Sequence, residues 1–284
     1  MNELRQTFRL GADGPEVRRL GFGAMRITGR GIWGEPPDRE AARTVVRRAV
    51  ELGANLIDTA DAYGPGVSEE IIAEALHPYP DDLVIATKGG LQRPGPGEWT
   101  RDGRPEHLRE ACEGSLRRLR LDAIELYQLH AVDPKVPLEE SLGALIELRE
   151  QGKIRRIGLS NVDVDQLQRA LELTDVVTVQ NRYSLVDRHS EDVLGECERR
   201  GIGFIPWFPL ATGELATPGG PLDEAARHHD ATPGQVALAW LLARSDVMLP
   251  IPGTGSIEHL EENMAAARLR LGPDEVAALS QTAD

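Results

Sequence analysis

Four residues in the first half of the chain have the types that a proton transfer to oxygen would need: Asp58, Tyr63, Lys88 and His130. A tyrosine, with an ordinary pKa of about 10, is a poor acid at neutral pH. A lysine ammonium beside it favours the phenolate and lowers that pKa. A carboxylate can hold the ammonium charged and oriented, and a histidine can hydrogen-bond a carbonyl oxygen. Together such groups protonate an oxygen that becomes alkoxide-like as a hydride reaches carbon. Each residue also has an ordinary structural reading. A strand-end aspartate often caps a helix, Tyr63 beside Gly64-Pro65-Gly66 could be a turn aromatic, and Lys88 with Asp58 could be a structural ion pair. Lysine usage adds weight to the chemical reading. Only three of the 32 basic residues are lysine, namely Lys88, Lys135 and Lys153. In a chain that otherwise writes arginine, a retained lysine invites a chemical reason.

The elements that would position these residues are short apolar runs alternating with helical patterns. The spacing predicts strands at LGFGAM (20–25), ANLID (54–58), LVIAT (83–87), AIELYQLH (123–130), IRRIGLS (154–160), VVTVQN (176–181), IGFIPW (202–207) and VMLPIP (247–252). Helices are predicted near 39–52, 68–76, 105–119, 138–151, 164–173, 190–200, 232–244 and 256–267. Thr232 and Gln235 stand at capping-box spacing around Pro233. Strict alternation implies a parallel sheet, and eight such units imply an α/β protein of the (β/α)8 TIM-barrel type. The segment TFRLGADGPEVRRLGFG predicts an N-terminal β-hairpin, and a C-terminal helix is expected at 273–281 after Gly272-Pro273. With no internal repeat and no linker, residues 1–284 are expected to form a single domain. An open doubly wound sheet would favour GxGxxG at a strand-to-helix turn. The nearest match, Gly21-Phe22-Gly23, has Arg26 where the third glycine belongs, and no helix is expected to open there.

Barrel active sites form at the C-terminal ends of the strands. Those ends carry Asp58 with Tyr63 close behind, Lys88, His130, Ser160-Asn161, Gln180-Asn181, Trp207 and Gly253-Thr254. Four complementary groups at three successive strand ends are hard to assign to chance. Two long irregular stretches, 89–104 and 208–222, follow strands and could cover such a site.

Net charge is −14 with a pI of about 5.0. Such a surface repels phosphate backbones and anionic headgroups, which argues against nucleic acid and membrane partners. No apolar run reaches spanning length and no secretory signal opens the chain. Cys112 and Cys197 lack ligand spacing and are expected to be reduced packing residues, in a cytoplasmic protein. His228-His229-Asp230 is expected to mark a helix end rather than a metal site. Arg117-Arg118-Leu119-Arg120 is expected to be a solvated helix end, and Leu238, Trp240 and Leu241 are expected to be helix packing.

The stretches LGFGAM, ANLIDTADAYG, LVIATKGG, LYQLH, IRRIGLSN, VVTVQNRYS, IPWFPL and LPIPGTGSIEHLEEN resemble an aldo-keto reductase along nearly the whole chain. The family pattern Asp-x4-Tyr, then Lys, then His falls on Asp58, Tyr63, Lys88 and His130. The resemblance implies a (β/α)8 barrel that binds extended NADP(H) or NAD(H) and reduces small-molecule carbonyl compounds. It makes Tyr63 the general acid, Lys88 and Asp58 its tuning pair, and His130 the group that orients the carbonyl. It implies that Ser160, Asn161 and Gln180 hold the nicotinamide carboxamide and that Trp207 stacks on its ring. Phe208 and Leu210 fall in a loop that passes near the pyrophosphate in relatives. Gly23, Met25 and Asp58 are also expected among the cofactor contacts. The segment from Gly253 opens a helix whose N–H groups suit a phosphate, with Thr254, Ser256, His259, Glu262 and Asn263 able to bond an adenosine phosphate or ribose. NADPH-selective relatives often carry Lys at the position of Gly253 and Arg at that of His259. Neither cation is present, so NADP(H) is favoured while NAD(H) stays open.

Substrate choice falls to side chains around Tyr63 and His130, with Trp33 and Trp99 suiting a flat or aromatic aldehyde. The tract IPGTGSIEHLEENMAA also resembles a bacterial subgroup that includes pyridoxal reductases. Three functions follow: a generic carbonyl reductase, an oxidoreductase dedicated to vitamin B6 or natural-product sugars, or a cofactor-binding sensor or auxiliary subunit. The complete set of four argues against the last. A monomer is favoured.

Overall fold

The computed structural model describes residues 6–210 and 221–281. Seven parallel strands lie side by side in chain order: β3 (Phe22–Gly23), β4 (Leu56–Asp58), β5 (Val84–Gly89), β8 (Ile124–Leu129), β9 (Ile154–Ser160), β10 (Thr178–Arg182) and β11 (Gly203–Trp207). The eighth position belongs to residues 247–252. Phe204 N donates to Val247 O at 2.8 Å and Leu249 N to Phe204 O at 2.7 Å, while Gly21 N reaches Pro250 O at 2.9 Å. The segment therefore bridges β11 and β3 and closes the (β/α)8 barrel. It does not form the regular strand expected at 247–252. In a strand, the N–H and C=O of one residue point to the same neighbour, so Pro250 and Pro252 remove donors on the β3 side and leave only carbonyls there. The strand expected at 20–25 is likewise short. It gives way to a 3-10 turn over Ala24–Ile27, where no helix was expected.

Helices follow the strands: α1 (Arg39–Glu51), α2 (Val67–Leu76), α3 (Pro105–Leu119), α4 (Leu138–Glu150), α5 (Val164–Leu173), α6 (Glu191–Arg200), α7 (Pro221–His228), α8 (Pro233–Arg244) and α9 (Ile257–Ala265). Local chemistry fixes their starts. Asp38 accepts from Ala41 N, and full capping boxes form at Asp163 with Gln166 and, as the spacing predicts, at Thr232 with Gln235. Helix α7 ends at His228, where His228-His229-Asp230 was expected to mark a helix end, and its first two residues fall within the loop expected at 208–222; residues 211–220 of that loop fall outside the described residues. The other long loop carries a small antiparallel pair, β6 (Leu91–Gln92) with β7 (Thr100–Arg101). The C-terminal helix α10 spans Pro273–Gln281.

The expected N-terminal hairpin is present as β1 (Thr7–Arg9) and β2 (Glu16–Arg18). Its buried Phe8, Leu10 and Val17 join the main apolar core, and Arg18 N donates to Asn55 Oδ1 just before β4. The hairpin thus covers the strands' N-terminal ends and leaves their C-terminal ends for chemistry. Leu238, Trp240 and Leu241 are fully buried in that core. Cys112 and Cys197 are buried free thiols, each pushed up to about 12 by burial. Arg118 departs from the solvated helix end expected of it. Its Nε donates at 2.7 Å to Glu69, which is fully buried and also accepts from Thr87 Oγ1 at 2.5 Å, so the pair fastens α2 and α3 to β5.

One buried cation locks the closing segment. The Arg19 guanidinium donates to Met248 O at 3.1 Å, to Leu242 O at 2.7 Å and to Ser245 O. These include carbonyls that the end of α8 leaves without helical partners. Arg19→Ala is expected to lower the unfolding free energy by about 3 kcal/mol, because each buried acceptor left unmade costs roughly 1–3 kcal/mol. Urea denaturation followed by circular dichroism measures this; an unchanged midpoint would contradict it.

Candidate active site

Inside the barrel the strands align their inward residues in layers. Register places Lys88 beside Gln128, Gln128 beside Gly158, and Gly158 beside Thr178. One layer higher, His130, Ser160 and Gln180 point into the mouth, because residues two apart on a strand share a face. The lower layer is polar and fully buried. Lys88 Nζ donates to Asp58 Oδ1 and to Thr59 O, both at 2.7 Å. Gln128 Nε2 donates to Asp58 Oδ2 at 3.2 Å, and Thr178 Oγ1 reaches Gln128 Oε1 at 3.4 Å. Gly158 makes this row fit: a Cβ there would lie 2.3 Å from Thr178 Oγ1 and 2.9 Å from Gln128 Cγ.

Above that row sit Tyr63 and His130, with ring centroids 5.9 Å apart at 81°. Lys88 Nζ lies 5.2 Å from the Tyr63 ring centroid. Trp99 meets both rings edge-on, at 6.5 Å from Tyr63 and 6.4 Å from His130. Burial works against the Lys88 ammonium, but Asp58 and Tyr63 outweigh it and hold the lysine above its usual pKa. Burial pushes the Tyr63 phenol above its usual value, although Lys88 pulls it down. The lowering expected from lysine alone is therefore reversed by desolvation, and Tyr63 keeps its proton at neutral pH. His130 lies well below the usual histidine range, through burial first and the Lys88 charge second, so its imidazole is neutral. Its Nδ1 is buried without a partner. A buried N–H without an acceptor is rarer than an unused lone pair, which favours the tautomer with the proton on Nε2.

These rings form one end of a cavity of about 880 Å³. Its lining includes eleven of the residues for which the family resemblance implied cofactor contact: Gly23, Met25, Asp58, Ser160, Asn161, Gln180, Trp207, Phe208, Leu210, Gly253 and His259. Four others stand back from it. Thr254 Oγ1 accepts from Ser256 N, Ser256 caps α9, Glu262 accepts from Thr232 Oγ1, and Asn263 is buried. Trp33, expected at the substrate, does not line the cavity, whereas Trp99 does.

Asn161 is already engaged. Its Nδ2 donates to His130 O at 2.9 Å and its Oδ1 accepts from Trp207 Nε1 at 3.0 Å, so it fixes the Trp207 indole. The Gln180 side chain makes no hydrogen bond among the described residues and is free to meet a ligand. A side chain at Gly253 would need this backbone to shift, since a Cβ there would lie 2.6 Å from Gly23 O.

Two residues of the candidate site carried no assignment from the sequence. Gln128 supports Asp58, and its signal was a polar residue two before His130 in an apolar strand. Arg26 is a guanidinium on the cavity wall, with no ion pair among the described residues. Elsewhere, His228 Nδ1 and His229 Nε2 both approach Glu275 Oε1, at 3.1 and 2.7 Å, and Asp230 takes no part.

The chain matches the aldo/keto reductase family over residues 19–284. The chain belongs to this family. It is an NAD(P)-dependent oxidoreductase of carbonyl compounds. It is similar to a Schizosaccharomyces pombe protein named as an oxidoreductase, 51% identical over 265 residues, which span 93% of this chain and 86% of the relative. It is also similar to pyridoxine 4-dehydrogenase of Escherichia coli, 43% identical over 279 residues and 96% of each chain. Among solved structures, an aldo-keto reductase from Klebsiella pneumoniae in complex with NADPH superposes with a TM-score of 0.83 at 29% identity, covering 99% of this chain and 95% of that one. No helix among the described residues is long and apolar enough to cross a membrane.

Removing the Asp58 charge would strand the Lys88 ammonium in the barrel interior. Asp58→Ala is expected to destabilise the fold by about 3–5 kcal/mol. The double variant Asp58→Ala/Lys88→Met should recover much of that loss. Urea midpoints of the two variants measure the difference; equal midpoints would contradict the pairing.

Proposed function

We propose that the protein reduces aromatic aldehydes of the pyridoxal type to alcohols with NADPH, Tyr63 delivering the proton. The observation that carries this reading is the pairing of a protonated Tyr63 with a neutral His130 on one cavity wall, directly above the Lys88–Asp58 pair.

His130 Nε2–H would hold the substrate carbonyl oxygen beside the Tyr63 hydroxyl. As negative charge grows on that oxygen, Tyr63 gives up its proton, and the phenolate left behind faces the Lys88 ammonium. Asp58 and Gln128 keep the ammonium in place through the transfer. The cavity and its lining fit a nicotinamide cofactor, which when bound supplies the hydride. Gln180 and Ser160 would hold the carboxamide, with Trp207 as a flat stacking surface that Asn161 keeps in orientation. Arg26 is the cation available to the cofactor's phosphates, which supports NADPH although Gly253 and His259 are not cationic. The aromatic rings of Trp99, Tyr63 and His130 favour a flat substrate. The 43% identity to a pyridoxine 4-dehydrogenase supports a substrate of that class. All the residues invoked lie within one barrel, and we propose that the chain acts as a single domain.

NADPH oxidation with pyridoxal, compared with 4-nitrobenzaldehyde, tests the reading. Tyr63→Phe should lower kcat/KM for pyridoxal by about a thousandfold, in the range that general acids contribute, with the Kd for NADPH unchanged by fluorescence. Turnover of 4-nitrobenzaldehyde but not pyridoxal would defeat the substrate assignment. Persistent reduction by the variant would defeat the acid assignment.

A further inference from the structure

Arg93 lies in the loop after β5, and the proton transfer above makes no use of it. It is only 7% exposed, yet no carboxylate pairs with it among the described residues. Burial therefore holds its pKa below the usual arginine value. A buried cation without a counter-ion is costly unless other groups satisfy it. Here three backbone carbonyls do so. Nε donates to Glu98 O at 2.9 Å, Nη1 to Ile32 O at 2.8 Å and Nη2 to Gly31 O at 3.0 Å. The guanidinium also lies 3.8 Å over the Trp99 ring centroid and 5.6 Å from that of Trp33. Trp99 lines the cavity, whereas Trp33 does not.

The carbonyls that Arg93 holds are not ordinary ones. Ile32 has φ +60, a left-handed conformation that a β-branched residue adopts only when its surroundings impose it. Its carbonyl also accepts from Gly64 N at 3.3 Å, and Gly34 N donates to Gly64 O at 3.0 Å. Gly64 follows Tyr63 directly. One guanidinium therefore joins three segments: the strained turn around Ile32, the turn carrying Tyr63, and the loop that presents Trp99. Trp99 is 38% exposed, and besides its edge contacts with Tyr63 and His130 it rests on Arg93. A guanidinium this close to the ring centroid is attracted to its face and so helps to hold the half-open indole in orientation.

We propose that Arg93 is a positioning residue: it fixes Trp99 as a rigid wall of the substrate cavity and so sets the preference for flat aromatic over small aliphatic carbonyls. This rests on the reading of the cavity as an aldehyde site. Arginine suits this place because three separate nitrogens of one planar group reach three carbonyls while its face lies on an indole, which the single nitrogen of a lysine cannot reproduce.

The test uses Arg93→Ala, Arg93→Lys, Trp99→Ala and the double variant Arg93→Ala/Trp99→Ala, assayed with NADPH against 4-nitrobenzaldehyde and propanal. In Arg93→Ala the ratio of kcat/KM for the aromatic over the aliphatic aldehyde should fall about tenfold, near 1.4 kcal/mol. The loss should appear chiefly as a raised KM for the aromatic aldehyde. Arg93→Lys should behave like the alanine variant. The double variant should be no worse than Trp99→Ala alone, since both changes remove the same wall. Equal losses on both aldehydes, rescue by lysine, or multiplying effects in the double variant would overturn the proposal. Hydrogen exchange gives a readout free of turnover. Amides of residues 29–35 and 91–101 should exchange faster in Arg93→Ala while β5 stays protected; no change there, or faster exchange throughout, would also overturn it. If the wild type reduces neither aldehyde, the proposed function has failed, and the exchange result still decides whether Arg93 anchors the wall.

Discussion

An ammonium group with no access to solvent sits in the middle of this barrel, and most of the site follows from the need to accommodate it. Lys88 is fully buried, and a charge in so poor a dielectric must be met by partners of good geometry. Asp58 supplies the opposite charge and Thr59 a carbonyl, each at 2.7 Å. Asp58 in turn has a second oxygen to satisfy, which Gln128 does, and Thr178 continues the row across the barrel. Gly158 leaves the space that lets these side chains meet. A layer that looks like an interruption of the apolar core is thus the support for one cation.

That cation then acts on the two groups above it in different ways. It opposes the rise that burial imposes on Tyr63, and it adds to the fall that burial imposes on His130. A phenol that keeps its proton and an imidazole that stays neutral are the states a carbonyl reduction needs, one as acid and one as hydrogen-bond donor. Neither state belongs to the residue alone. The same tyrosine in water would ionise more readily, and the same histidine would titrate within the physiological range.

Much of this was legible in the sequence because it depends on local spacing. The alternation of apolar runs and capping signals located most helices to within a residue or two, and α3 and α5 match the expected bounds. Asp58, Tyr63, Lys88 and His130 stood out as polar groups at strand ends. What was not legible depends on contacts between distant segments. The weak eighth strand follows from which neighbour Pro250 and Pro252 face, a matter of register rather than composition. The direction of the Tyr63 shift could not be read from charge alone, because burial decides it. Trp33 and Trp99 looked equivalent in sequence, yet both lie near Arg93 and only Trp99 lines the cavity. Arg26 gave no signal because the 3-10 turn over Ala24–Ile27 that carries it to the cavity wall was not expected from the sequence pattern.

The central claim is that proton delivery comes from Tyr63 while His130 remains a neutral donor. The most direct measurement is the pH dependence of kcat/KM for NADPH-dependent aldehyde reduction by the wild-type protein. A raised Tyr63 pKa means that activity is present below that pKa and lost above it. A depressed His130 pKa means that the imidazole stays uncharged through the usual histidine range, around pH 6.5. The account predicts a profile that is flat there and falls only on the alkaline side. A limb of lost activity near pH 6.5, traceable to His130, or the absence of any alkaline fall, would contradict it.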